Sequence, residues 1–255
     1  MSEVDMARRF GGIGRLYGER ALERFQQARV CVIGIGGVGS WIVEALARSG
    51  IGHLTLIDLD NVAESNVNRQ IHALDGAFGL PKVTAMAQRV ALIHPHCQVT
   101  ECDTFIEEDN LAELLGGGFD MVVDAMDSVA VKAPVIAACR ARGLPLVVCG
   151  AAGGKMDPTQ VKVDDLARVT HDPIATKVRH TLRKQYDFPR EGGKKFGVDW
   201  VFSPEPIVYP DRACDSAAHG QGLNCGGFGS AMCVTTTFGM FAASRVLRHL
   251  AATSI

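Results

Sequence analysis

The chain has 255 residues, 47% hydrophobic and 21% charged, which excludes a disordered or fibrous protein and is enough to bury a core. Lys and Arg number 26 against 28 Asp and Glu, a net charge of -2, which excludes a uniformly basic nucleic-acid coat but not a local patch. Glycine is in excess, with 28 residues and no collagen periodicity, as tight turns or backbone brought close to a ligand would require.

The first 27 residues read as a helical lead-in interrupted at Gly11-Gly12. Arg29–Ile33 is an apolar, β-branched run and predicts a strand. Trp41, Val43, Leu46 and Ala47 then recur at near-helical spacing and predict a helix over Ser40–Ser49. Leu54–Ile57 is a second strand. Pro81 opens a helix over Lys82–Ile93 that ends before Pro95. Cys97–Cys102 and Met121–Val123 are strands, Val131–Arg142 a helix and Leu146–Cys149 a further strand. Gln160–Val163 reads as a strand. Asp172-Pro173 supplies an N-cap and first-turn proline for a helix to about Gln185. A polar loop follows over 187–199, then a short strand at Trp200–Phe202, a loop over 209–227 and a long helix over Phe228–Leu250. This alternation predicts an α/β protein: a Rossmann-like, doubly wound, mainly parallel sheet with an extended C-terminal part and a long terminal helix. No composition shift marks a second domain. Residues 1–28 are the lead-in, 29–150 a nucleotide-binding core and 151–255 an extension of the same unit.

Eight cysteines are present and no two stand in a C-x-x-C spacing, so no zinc ribbon is expected. The N-terminus lacks an apolar signal-peptide core, which makes reduced thiols and a cytoplasmic location the expectation. Cys31, Cys139, Cys149 and Cys233 fall in apolar elements and read as core. His94-Pro-His96-Cys97 reads as a helix-end turn in preference to a metal cluster. Residues 220–244 hold no Asp, Glu, Lys or Arg; they read as a helix packed on the sheet or on a second copy, with peripheral membrane contact as the alternative.

Gly34-Ile35-Gly36-Gly37-Val38-Gly39 follows the first strand and opens the first sheet-packing helix. That is the context in which G-x-G-x-x-G brings phosphates against a helix N-terminus. Asp58 ends the second strand, where a carboxylate accepts hydrogen bonds from a ribose. The run from Asp60 to Gln70 is too polar for a hydride-transfer site. Arg69 and Lys82 would flank the glycine turn as phosphate ligands, and Asp124 or Asp127, at the carboxyl edge of the sheet, could hold Mg2+. The set describes an ATP site that cleaves at a phosphate, without NAD.

Gly34–Gly39, Asp58-x-Asp60, Ser65-Asn66-x-Asn68-Arg69-Gln70, Lys82 and Asp124-Ala-Met-Asp127-Ser128 resemble the ubiquitin-activating-enzyme-like adenylyltransferases. The resemblance implies an adenylation domain in which Asp58 binds the ribose, Asn68, Arg69 and Lys82 hold the phosphates, and Asp127 binds Mg2+. Gly34, Gly36, Gly37, Gly39, Asp60, Asn66, Gln70 and Ser128 join them around ATP. It also implies a homodimer whose N-terminal arginine reaches the partner's phosphates; Arg15 is the first candidate and Arg9 the second. A monovalent cation is left open beside Mg2+.

Arg9-Phe-Gly-Gly, Arg15-Leu-Tyr-Gly, Asn68–Leu74, Gly150–Gly154 with Asp157-Pro-Thr, and Phe202-Ser203-x-Glu205 are similar to the bacterial tRNA threonylcarbamoyladenosine dehydratase subfamily along nearly the whole chain. That implies ATP-dependent cyclisation of the modified adenosine beside the anticodon. Its carboxylate would attack the α-phosphate, and the carbamoyl group would then close the ring and expel AMP.

Lys177, Arg179, Arg183, Lys184, Arg190, Lys194 and Lys195 stand against Asp187 and Glu191, a local excess of five positive charges proposed as the tRNA patch. Cys225, in Asn224-Cys-Gly-Gly, is the candidate acceptor of sulfur from a cysteine desulfurase partner, against the plainer reading of an incidental thiol. Two other classes compete: an activator of a ubiquitin-like sulfur carrier, and a noncatalytic sulfur-relay or docking protein.

Overall fold

The computed structural model describes residues 4–192, 194–209 and 228–253. Helices α1 (Met6–Tyr17) and α2 (Glu19–Gln27) lead into strand β1 (Arg29–Ile33). There follow α3 (Gly39–Arg48), β2 (His53–Ile57), α4 (Lys82–Ile93), β3 (Gln98–Cys102), α5 (Leu111–Leu114), β4 (Met121–Asp124), α6 (Val129–Arg142) and β5 (Leu146–Cys149). The extension adds β6 (Lys162–Asp165), α7 (Pro173–Gln185), β7 (Asp199–Phe202) and α8 (Met232–Ala252).

The sheet order is β3-β2-β1-β4-β5-β7-β6. Every pairing is parallel except β6 with β7. Alternate residues of each strand face opposite layers, as strand geometry requires. Val30 and Val32 pack into the core under α2, α3, α4 and α8, while Cys31 and Ile33 face α5 and α6. Val148 and Trp200 belong to a third cluster with α6 and α7. Strands covered on both faces explain the near-continuous apolar runs of the sequence.

Several boundaries differ from expectation, each for a local reason. Gly11-Gly12 lies inside α1; the break comes at Gly18, whose φ of +96° favours glycine. Residues 158–160 form a 3-10 turn capped by Asp157, which displaces β6 to Lys162–Asp165. The terminal helix starts at Met232, because the backbone before it is engaged elsewhere: the Gly229 carbonyl accepts the Gly154 N–H at 2.8 Å. Helix α8 lies against α2 and α3, and among the described residues no helix is long and apolar enough to cross a membrane.

Cys31, Cys139 and Cys149 are buried, but Cys233 is exposed and is not core. Burial pushes the Cys139 and Cys149 thiols up to about 12, which leaves neither a ready nucleophile. His94 closes α4 with its ring 4.8 Å from Phe10. Among the described residues no group of His, Cys, Asp or Glu has a metal-holding arrangement.

Candidate active site

The carboxyl ends of β1, β2, β4 and β5 open into a cavity of about 400 Å3. Its floor is the glycine turn. The Gly34 N–H bonds the Ile57 carbonyl at 2.8 Å, tying the turn to β2. A Cβ on Gly39 would stand 1.7 Å from the Gly34 oxygen, so the turn closes only because that position is glycine.

Asp58 braces this turn from β2. One carboxylate oxygen accepts the Ile35 N–H at 2.6 Å and the other the Asp60 N–H at 2.8 Å. Burial raises its pKa, opposed by the charge of Lys82 4.0 Å away and by the two N–H donors. Lys82 opens α4 and donates to Asp60 at 2.6 Å, so both residues are held at the cavity wall.

Arg69 is fixed at both ends. Its carbonyl accepts the Trp41 indole N–H at 2.9 Å, and its guanidinium donates to the Ser65 carbonyl and to Asn68. Burial lowers its pKa, while the charge of Asp127 opposes the shift, which places the two residues within electrostatic reach of each other. Gln70 lines the same wall, and its buried side-chain oxygen has no hydrogen-bond partner. Asp127 and Ser128 line the cavity where the chain leaves β4.

Other expected residues lie elsewhere. Asp124 is not a free carboxylate. It is completely buried, paired with Lys132 at 2.8 Å, and accepts the Met126 N–H at 3.0 Å. Asn66 turns inward to accept the Ala63 N–H at 3.0 Å and does not line the cavity. Asn68 donates to the Ser230 carbonyl at 2.9 Å. Arg9 is exposed on α1, outside the cavity of its own chain, and donates to the Ile93 carbonyl at the end of α4. Arg15 is exposed on α1, outside the cavity of its own chain. Cys225 lies outside the described residues.

The basic segment divides into side chains that contact their own chain and side chains that face outward. Arg179 donates to the Leu166 and Val169 carbonyls, and Arg183 bonds the Pro189 carbonyl and lies over the Phe196 ring. Both guanidiniums are thus held against their own chain. Lys177, Lys184, Arg190, Lys194 and Lys195 are exposed. Pro173 and Ile174 at the start of α7 line the cavity, so at 1.5 Å per residue Lys184 stands roughly 16 Å further along the helix. Lys195 borders a separate depression with Asp164, Asp199 and Arg248.

Sequence reasoning put the backbone at Gly150 and Gly153 on the substrate side but missed the side chains that complete the far wall. Gly150–Gly153, Ile207, Tyr209 and Phe228 line the cavity beyond β4. Asp172 positions this wall: one oxygen caps α7, and the other accepts the Trp200 indole N–H at 3.0 Å and the Ala151 N–H at 3.2 Å. Phe105, after β3, is likewise a wall residue despite being 60% exposed.

The model of the ThiF family matches residues 12–252. The chain is 48% identical over 254 residues to the tRNA threonylcarbamoyladenosine dehydratase of Haemophilus influenzae, covering 98% of this chain and 96% of that one. It is 49% identical over 251 residues to the Escherichia coli protein of the same name, covering 96% and 94%. A crystal structure of the E. coli tRNA N6-threonylcarbamoyladenosine dehydratase in complex with ATP aligns with a TM-score of 0.88 at 48% identity, over 97% of this chain and 95% of that one.

Proposed function

The chain belongs to the ThiF family, and we propose that it is an ATP-dependent dehydratase that cyclises threonylcarbamoyladenosine in tRNA. The observation that carries this is the convergence of Arg69, Lys82 and Asp127 on a cavity floored by the glycine turn. A phosphoryl site needs fixed cations and a hydrogen-bonding cradle more than it needs a nucleophile.

Asp58 keeps spare lone pairs beyond its two backbone bonds and accepts the ribose hydroxyls. Leu59, Phe105 and Ile106 give the adenine an apolar wall. Lys82 has three donors and spends one on Asp60, which leaves two for phosphate oxygens. Arg69 adds a second cation, and the unpartnered Gln70 oxygen is a ready acceptor.

Asp127, a carboxylate lining the cavity at the carboxyl end of β4, would hold a Mg2+ ion that takes its remaining ligands from phosphate oxygens and water. When bound, the ion supplies charge neutralisation at the phosphates.

A carboxylate is a poor electrophile and hydroxide a poor leaving group. The substrate carboxylate oxygen bonds the α-phosphorus as pyrophosphate leaves. The carbamoyl group then attacks the acyl carbon, and AMP carries away the oxygen that is lost. The net change in the nucleoside is loss of one water. Arg69 and Lys82 stabilise the charge that builds on the α-phosphate.

The finer assignments belong to the same reading. The whole chain acts as one catalytic unit in the cytoplasm. A homodimer partner contributes its Arg15, which suits that residue's position outside its own cavity. A desulfurase partnership rests on Cys225.

The test is direct. Threonylcarbamoylated tRNA is incubated with the protein and ATP, digested, and its nucleosides weighed by mass spectrometry. A nucleoside lighter by one water is expected, with Lys82→Ala and Asp127→Ala slowing its formation roughly 100- to 1,000-fold. No mass loss from fully modified tRNA overturns the reading. Pyrophosphate exchange driven by a carrier-protein tail would then favour the sulfur-carrier activator.

A further inference from the structure

The cavity has two halves with a seam between them. Asp58 stands at the end of β2, and the glycine turn and Asp127 follow β1 and β4. Gly150–Gly153 follow β5, three strands from β2 in the sheet order, roughly 14 Å away at 4.8 Å per strand. An ATP with its ribose on Asp58 and its phosphates at the seam directs its adenine towards β3, where Phe105 and Ile106 stand. It leaves the far half for the second substrate.

That far half is aromatic. Tyr209 is 69% exposed although its ring lines the cavity, and its centroid lies 5.4 Å from that of Phe228 in a tilted pair. The backbone beneath the pair is braced. Gly154 donates to the Gly229 carbonyl and accepts the Val208 N–H, both at 2.8 Å. Gly154 has a φ of +70°, and a Cβ there would meet Ile207 at 2.7 Å. Lys155, buried, donates to the Ser203 and Glu205 carbonyls, and the Glu205 carboxylate accepts the Met156 and Asp157 N–H groups. Three chain segments are thus laced together, and they present an exposed ring to the cavity.

We infer that Tyr209, backed by Phe228, is the stacking platform for the modified adenine of the tRNA, and that this ring sets the substrate carboxylate at the seam. The inference rests on the dehydratase reading above. A base taken out of an anticodon loop loses its stacked neighbours, and an aromatic face restores one. The tyrosine is therefore a positioning residue that acts on the nucleoside and leaves the phosphates alone.

Steady-state kinetics of Tyr209→Ala and Tyr209→Phe, with modified tRNA and ATP varied separately, test this. Tyr209→Ala should raise KM for modified tRNA about 5- to 150-fold, the range of one base–aromatic stack. Tyr209→Phe keeps the ring and should behave like the parent protein. KM for ATP should be the same in all three. An unchanged tRNA KM in Tyr209→Ala overturns the platform. So does a parallel rise in the ATP KM, which would place the ATP adenine on this ring. Loss of function in Tyr209→Phe equal to that in Tyr209→Ala also overturns it, since the hydroxyl and not the ring would then matter. A parent protein that leaves modified tRNA unchanged overturns the dehydratase reading itself, which keeps the two failures distinct.

Discussion

Lys132→Met tests how far the site depends on what lies beneath it. Lys132 and Asp124 are fully buried and 2.8 Å apart, with the ammonium 5.7 Å from the centre of the Trp200 ring. Without the amine, Asp124 keeps one bond, from the Met126 N–H, while its second oxygen already lacks a partner. A buried carboxylate left this way costs about 3–5 kcal/mol. At about 2–4 °C per kcal/mol for a domain of this size, the melting temperature should fall by about 6–20 °C. Thermal and urea unfolding of Lys132→Met, Asp124→Asn and the double variant would close a cycle. The double variant should recover much of the stability, because removing both charges together leaves none uncompensated. The turnover of Lys132→Met should fall as well, since Asp124 holds the backbone that leads into Asp127. Melting of Lys132→Met within about 2 °C of the parent would refute the reasoning. So would a double variant destabilised by the sum of the two single effects.

Gly39→Ala should weaken ATP binding about 100-fold with the sheet still folded, because the new methyl displaces the phosphate cradle; equilibrium titration beside a circular dichroism spectrum checks it. His72 is buried with neither ring nitrogen hydrogen-bonded; burial first, then the charges of Lys82 and Arg89, pushes it down to about 4. Below pH 6.5 the unfolded chain therefore binds a proton that the folded chain refuses, and stability falls as pH drops from 6.5 towards 4. The decrease should reach about 2 kcal/mol by pH 5 and be absent in His72→Phe, read from urea unfolding at pH 7.5 and 5. Neutralising Lys177, Lys184 and Arg190 should make the salt dependence of tRNA affinity shallower, by roughly 0.7–0.9 in slope for each phosphate that these side chains neutralise in the parent protein. Arg179→Ala, by contrast, should lower stability and leave that slope unchanged, because its guanidinium serves the Leu166 and Val169 carbonyls.

The strands and main helices were legible because their signals are local. An apolar β-branched run such as Arg29–Ile33 has few alternatives, and Pro81, Pro95 and Asp172-Pro173 punctuate the helices. The half of the cavity around the glycine turn was legible for a similar reason: its glycines, Asp58, Arg69 and Lys82 form a compact motif. What escaped depends on distant partners. A lysine at 132 looks like any solvated charge until Asp124 and Trp200 enclose it. Counting cations over 176–197 could not separate Arg179 and Arg183, which turn to backbone carbonyls, from the lysines that stay outside. Asn66 resembles a ligand by motif and serves as a local turn cap. Tyr209 and Phe228 are remote in sequence, and the Gly154 hydrogen bonds help to bring them together.

The sheet order itself accounts for a cavity in two halves. From β1 the chain runs outward through β2 to β3, then returns to place β4 on the other side of β1 and proceeds to β5. The loops leaving β1 and β4 therefore part in opposite directions, and the crevice between them is where doubly wound sheets bind ligands. The glycine turn and Asp127 occupy that seam. A fold ending at β5 would offer the nucleotide a cradle but leave the far side open. The extension supplies the missing side: β7 pairs with β5, antiparallel β6 closes the edge, and Asp172 ties Trp200 of β7 to the backbone at Ala151. In the proposed reading ATP lies on the β2 and β3 side, the second substrate on the β5 and β7 side, and the two meet at the seam. An adenylation reaction requires that arrangement, because the acceptor carboxylate must come in line with the α-phosphate from the side opposite the departing pyrophosphate.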